Sequence, residues 1–314
     1  MSKAKKAEWT RASKRHPCPI CEHTDYCCMT NDGRLVNCMR VESRTPCKSK
    51  LGGWLHWLDD GDGLTAYVPL VKEAPKISYD EWTQKAKEAA YHEHAKSARQ
   101  TVAEDLGVSY ESLIMLCVGW GWDDYRRKPF STWPQFNHRR QVTGIVRRYE
   151  EPVTEEGGNK LSMRGGSPGL HFARYGSNLG RGALCVVEGG SDTAALITLG
   201  VPVVGRPSNL GGVEFLSRLL KRVARRIIVI GEHDSKPERV GKGPGCPPDC
   251  IGCNWCFPGL FGARSVAGEL SELLPGRNIR WAMTPEGYKD SRAWVQDNPG
   301  AKPVDFFKAL VFRG

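Results

Sequence analysis

Between Ala183 and Ile230, three short apolar runs (ALCVV, VPVV and IIVI) alternate with two helix-length stretches, SDTAALITL and VEFLSRLLKRVARR. Strands this apolar are buried on both faces, and strands separated by helices are joined by crossovers rather than hairpins. The segment therefore predicts a mostly parallel sheet covered by helices. In the second helix Val213, Leu216, Leu219, Leu220 and Val223 form the apolar stripe, with Arg218, Lys221, Arg222 and Arg225 opposite.

In such a sheet, ligands bind beyond the carboxyl ends of the strands. Glu188 ends the first run, and Glu232 and Asp234 follow the third, in IIVIGEHD. With these two strands as neighbours, three carboxylates converge on one edge, and Asp192 makes a fourth. Like charges this close repel unless a cation lies between them. Hard oxygen ligands suit Mg²⁺ or Mn²⁺, which in turn bind phosphate oxygens. The plain alternative is that strand-end acids cap helices, and Asp192 in particular can cap a helix over 193–199.

Twelve cysteines are many for a chain of 314 residues with no secretory signal. The N-terminal MSKAKKAEWTRASKR is basic, with no apolar block behind it, and no run approaches the roughly 18–20 apolar residues of a membrane helix. A membrane location is excluded on this basis, and a reducing cytoplasm is expected, where clustered cysteines serve as metal ligands rather than disulfides. Cys117 and Cys185 stand alone in apolar runs and read as small core residues. The others fall in two clusters. In the first, Cys18 and Cys21 precede Cys27, Cys28 and, beyond a hairpin at TNDGRLVNCMRV, Cys38. Cys18, Cys21, Cys27 and Cys38 are assigned as a tetrahedral Zn²⁺ set, with Cys28, His23 and His16 as substitutes, because spacing does not choose between adjacent cysteines. So small and polar a segment has little core without its metal. The second cluster, CPPDCIGCNWC, offers Cys246, Cys250, Cys253 and Cys256. Zn²⁺ is the first reading and an iron–sulfur cluster the second.

Elsewhere the pattern is plainer. Residues 58–77 read as a linker. Ser78 opens a helical stretch to about Leu106, with Ser78 and Glu81 as a capping box and Gly107 as its stop. Its Ala, Lys, Glu and Gln content suits a solvated connecting helix. Ser109 caps a second, short helix, so the pair reads either as ordinary helix packing or as a DNA-reading helix-turn-helix. Residues 129–149 alternate as two antiparallel strands, EEPVTEEGGNK is a loop, GARSVAGELSELL is a helix, and IRWAM and PEGYKDSRAW follow as strand-like pieces. The net charge of +10 and the ten Trp favour a polyanionic partner with stackable bases.

VVEGGSD, VPVVGRPSNLGG and IIVIGEHD together resemble the TOPRIM domain shared by DNA primases, topoisomerases and some nucleases and recombination proteins. Glu188-Gly189 matches the Glu-Gly motif of that domain. Glu232-His233-Asp234 matches its Asp-x-Asp motif, with Glu replacing the first Asp. PEGYKD resembles the closing Lys-Asp motif of primase TOPRIM domains and makes Lys289 and Asp290 site candidates. CPIC followed by CCMTNDGRLVNCMRVES and GGWLHWL resembles the zinc-binding N-terminus of phage- and plasmid-type primases. Residues 100–182 resemble the other half of a primase core, in which Arg139, Arg147, Arg148, Lys160 and Arg164 would face template and nucleotide.

The resemblance implies a chain that is α/β in its catalytic part and α+β overall. Residues 1–57 would be a basic arm and a zinc-ribbon β domain, and 58–106 a linker and connecting helix. Residues 107–182 would be a mixed α+β primase subdomain, and 183–314 a TOPRIM domain with a Cys-rich insertion at about 236–258. The function implied is a DNA primase making short RNA primers from NTPs on single-stranded DNA. Glu188, Glu232, Asp234 and Asp192 would be catalytic, and the first three would hold Mg²⁺ or Mn²⁺. The alternative is a non-catalytic zinc and TOPRIM DNA-binding protein of the recombination-mediator type. No G-x-x-x-x-G-K-S or G-K-T run is present, so a helicase partner would be separate, as in a phage, plasmid or other mobile replicon.

Overall fold

The structure is a computed structural model, and it describes residues 9–13, 16–31, 33–47, 52–58, 77–154, 158–173, 182–221, 226–242 and 246–312. Most of the expected linker, Asp32 of the expected turn, and Val223, Arg222 and Arg225 lie outside the described residues. The chain forms two compact units, residues 1–76 and 77–314.

In the first unit, β1 (Trp9–Arg11), β2 (Cys28–Thr30), β3 (Leu35–Cys38) and β4 (Trp54–Trp57) form an antiparallel sheet in sequence order. Its buried cluster is Cys18, Cys27, Val36 and Cys38, edged by Ala12, Ile20, Cys21, Met29, Met39 and Val41. Thiols dominate that centre, so apolar burial alone gives this unit little stability.

The second unit begins with α1 (Tyr79–Tyr91), α2 (Ala95–Leu106) and α3 (Tyr110–Met115). Ser78 and Glu81 form the expected capping box, Gly107 ends α2 at φ +62°, and the Ser109 hydroxyl caps α3. Two expectations fail here. The helical stretch breaks at His92, whose backbone is extended, and the His92 ring stacks on Trp120 with centroids 4.3 Å apart. Nor is α1 a solvated connector. Trp82 and Ala86 are buried with Phe136, Val142 and Ile145, and a Cβ on Gly119 would lie 2.4 Å from the backbone of Ala89. The α2–α3 pair is ordinary packing, since Leu106, Leu113 and Leu116 share a core with Ala194 and Leu196.

An antiparallel sheet follows, of β5 (Gly119–Asp123), β6 (Lys128–Phe136), β7 (Val142–Arg148) and β8 (Lys160–Ser162). Then come β9 (Leu184–Glu188), α4 (Gly189–Thr198), β10 (Val203–Arg206), α5 (Val213–Leu220), β11 (Ile227–Gly231), α6 (Pro258–Leu273), β12 (Ile279–Met283), α7 (Ser291–Asp297), α8 (Pro303–Ala309) and β13 (Val311–Phe312). The second sheet has the order β10-β9-β11-β12-β13, parallel except for β13. Cys185 and Val187 of β9 pack into one core, whereas Leu184 and Val186 pack into the other. That period of two, apolar on both sides, makes the strand a continuous hydrophobic run. PEGYKDSRAW is a loop and the start of α7, not a strand, because Asp290 caps the helix by accepting from Ala293 N–H. Leu170 pairs with Phe136 and His171 with Gly205, which ties the antiparallel sheet to β10.

Candidate active site

β9 and β11 are adjacent and parallel, with Val186 opposite Val229, so their carboxyl ends open on the same side. Glu188 ends β9 and Glu232 directly follows β11. Gly189 takes φ +73°, which lets the chain leave the strand and enter α4 within one residue. Gly190 then lies so close to Trp133 of β6 that a Cβ would sit 2.6 Å from its ring.

A cleft of about 320 Å³ opens at this edge. Glu188, Asp192, Glu232 and Asp290 line it, as do Arg148 of β7, Lys160 of β8 and Lys289. Trp133, Gln135 and His171 also line it. Burial raises Glu188, and the charge of Asp234 raises it further, against the pull of Arg206. Burial, with Asp192, Glu188 and Asp290 around it, pushes Glu232 up to about 8. Burial and the charge of Asp290 push Asp192 up to about 7. The leading cause throughout is burial, with anionic crowding adding to it.

These four acids, and Asp234, which is not among the lining residues, are not equivalent. Asp192 accepts the N–H groups of Ser291 (3.2 Å) and Arg292 (3.4 Å), so it caps α7 and not its own helix, which starts at Gly189. Asp290 accepts Ala293 N–H at 2.8 Å. Asp234 accepts Gly259 N–H at 2.7 Å. His233, between the two acids, donates its backbone N–H to Lys289 C=O (2.7 Å), and its ring meets Thr284 C=O (2.9 Å). That stitch brings the Lys289 loop to the cleft.

Arg206 ends β10 beside Glu188 and is wholly buried. Its guanidinium donates to Ile230 C=O (3.4 Å) and Ser208 C=O (3.5 Å), within the field of Glu188, Glu232, Asp192 and Asp234. Its sequence signal is a lone cation closing an apolar run. His171, Gln135 and Trp133 carry no such signal; strand pairing alone brings them in. Burial and the charge of Lys160 hold His171 down to about 4, a neutral ring contacting Gln135 at 3.3 Å.

The remaining basic candidates lie apart from this lining. Arg147 pairs with Asp123 (3.3 Å) and stacks over Phe130 and Tyr149, on the opposite side of β7 from Arg148. Arg139 is exposed in the β6–β7 turn, and Arg164 is exposed beyond β8.

The sulfurs of Cys18, Cys21, Cys27 and Cys38 lie within 4.8 Å of one another, as do those of Cys246, Cys250, Cys253 and Cys256. Cys21–Cys27 is 3.6 Å, Cys27–Cys38 3.9 Å, Cys246–Cys256 3.3 Å and Cys246–Cys253 3.7 Å. Four thiolates at ~2.3 Å from a tetrahedral Zn²⁺ sit about 3.8 Å apart, so both sets fit that ion. The N–H groups of Met39 and Val41 point at the sulfurs of Cys27 and Cys38 (both 3.3 Å). Cys28 lies in β2, and its thiol meets Asn37 across the sheet instead.

No protein-family model and no curated protein matches the sequence. Among solved structures, the chain is similar to the zinc-binding and RNA polymerase domains of Aquifex aeolicus primase, with a TM-score of 0.51 and 12% identity over 99% of this chain and 81% of that one. It is similar to the DnaG primase catalytic domain bound to single-stranded DNA, with a TM-score of 0.52 and 15% identity over 74% of this chain and 78% of that one. The E. coli primase catalytic core matches with a TM-score of 0.50 and 14% identity over 74% and 80%. The fold is that of bacterial primases, as the resemblance in sequence implied. No described helix is long and apolar enough to cross a membrane.

Proposed function

We propose that this chain is a DNA primase that copies single-stranded DNA into short RNA primers from NTPs, using Mg²⁺ or Mn²⁺. The observation that carries this is the meeting of Glu188 and Glu232 at the ends of adjacent parallel strands, in one cleft with Arg148, Lys160 and Lys289. The primase fold supports it.

The donor set fits a hard divalent cation. Carboxylate oxygens, the hard ligands such an ion takes, line one cleft here, where burial first and the neighbouring acids second push Glu232 up to about 8. Glu188 and Glu232 are the principal ligands in this reading, with Asp234 beside them. Asp192 and Asp290 commit oxygens to the N-terminus of α7. A bound cation supplies neutralisation of phosphate charge as the primer hydroxyl attacks the incoming nucleotide and pyrophosphate leaves. Lys289, Lys160 and Arg148 hold triphosphate and template phosphates by charge-assisted contacts. Arg206, buried beside them, supplies a fixed positive charge to the two glutamates. Both four-cysteine clusters hold Zn²⁺ and act structurally.

The test is incubation with single-stranded DNA, labelled NTPs and Mg²⁺. Short labelled RNA that disappears with EDTA is expected. Salt-sensitive DNA binding with no product in either Mg²⁺ or Mn²⁺ would point to a binding protein instead.

A further inference from the structure

We propose that the cysteine knuckle at 246–256 is a positioning element of the acidic cleft, acting through Asn209 and Asp234, so that metal in the knuckle sets the cation affinity of the cleft. This rests on the cleft being a divalent-cation site.

The insertion leaves the sheet at Asp234 and rejoins it at α6. Two hydrogen bonds, one backbone–backbone and one to a side chain, close its neck. Lys236 N–H donates to Cys256 C=O at 2.6 Å, and Gly259 N–H donates to the Asp234 carboxylate at 2.7 Å. Gly259 fits only because it lacks a side chain: a Cβ would lie 2.1 Å from Glu232 C=O and 2.8 Å from Asp234 Oδ1. The first turn of α6 is therefore pressed against the backbone that carries both acids, three residues after a knuckle sulfur.

A second strut is Asn209. Asn209 donates its amide to Asn254 Oδ1 (3.1 Å), inside the knuckle, and to Pro258 C=O (2.7 Å). A Cβ on Gly262 would fall 1.5 Å from Asn209 Oδ1, so α6 closes directly over this side chain. Asn209 stands three residues after Arg206, the buried cation beside Glu188 and Glu232. Both struts thus run from the knuckle to the acids.

Apart from a few polar and ring contacts, such as Arg239 over the Trp255 ring (4.9 Å) and Arg264 donating to Gly252 C=O (3.4 Å), the four sulfurs order the insertion. Among its described residues the one regular element is a single 3-10 turn, Pro237–Arg239, and only Cys250 and Cys256 are buried. A segment without an apolar core takes its fixed shape from its metal.

The experiment uses the full chain and two variants. Cys253→Ser should lower bound zinc from two ions to one, since two four-cysteine sets are present. Mn²⁺ titration followed by electron paramagnetic resonance should then show affinity reduced about tenfold or more, the range seen when a ligand's supporting partners are lost. Asn209→Ala leaves both cysteine sets intact and should keep both zinc ions while still weakening Mn²⁺ binding and altering the Mn²⁺ line shape. Unchanged Mn²⁺ affinity in either variant overturns the inference. A wild-type chain that binds no Mn²⁺ overturns the cation-site reading itself, and is told apart by that result.

Discussion

Glu232 is the residue on which the chemistry of the cleft turns. Its ordinary value of 4.5 is raised to about 8 by burial and three neighbouring acids. The folded protein therefore holds this proton more tightly than the unfolded chain does. Its contribution to stability is full below about pH 4.5 and is lost as pH rises toward 8. Metal-free protein should melt at falling temperature across that window, Mg²⁺ should restore the melting temperature at the alkaline end, and Glu232→Gln should flatten the slope. A melting temperature that rises over the same window would contradict the burial assigned to Glu232. At this scale, what the sequence discloses depends on how local the cause is. Glu188 and Glu232 could be found because each terminates an apolar run. The role of Asp192 could not, because its partners Ser291 and Arg292 are distant in the chain. Cys27 and Cys28 are neighbours in sequence, and only the strand beginning at Cys28 separates their roles.

Among the elements, α1 departs furthest from its composition. Polar and charged residues are spread along its length, yet Trp82 and Ala86, four apart, form a buried stripe on the antiparallel sheet. Two residues are too few for periodicity to stand out. Trp82→Ala should cost about 3–5 kcal/mol in urea unfolding of the 77–314 unit, as expected for a large aromatic lost from a core. A solvated helix would show a loss near zero. The caps of the same helix were legible because they are local chemistry. Ser78 accepts Glu81 N–H, and Glu81 reaches back to Ser78 N–H. Ser78→Ala should accordingly cost about 1 kcal/mol in the same measurement. The break at His92 was not legible, since Trp120, which its ring stacks on, comes from β5.

Over the whole molecule, the parallel sheet was readable because strands buried on both faces leave an unmistakable apolar run, and helices between them fix the crossover topology. The C-terminal α8 and β13 left no such mark, being short and partly exposed. The two units differ in what holds them. The first has thiols at its centre, whereas the second has two apolar cores. Cys18→Ser should lower bound zinc by one ion and remove proteolytic resistance from the described residues of the first unit, leaving the melting of the second unit within error of wild type. Unchanged zinc content would refute the ligand assignment.

The most direct test of the proposed activity is primer synthesis by Glu188→Gln beside wild type, with single-stranded DNA binding measured on the same samples. The substitution keeps size and removes charge at the end of β9. Synthesis should fall by about 100-fold or more, the scale of losing a preorganised electrostatic group, with DNA affinity essentially unchanged. Synthesis at the wild-type rate, or equal loss of synthesis and binding, would contradict a catalytic role for Glu188.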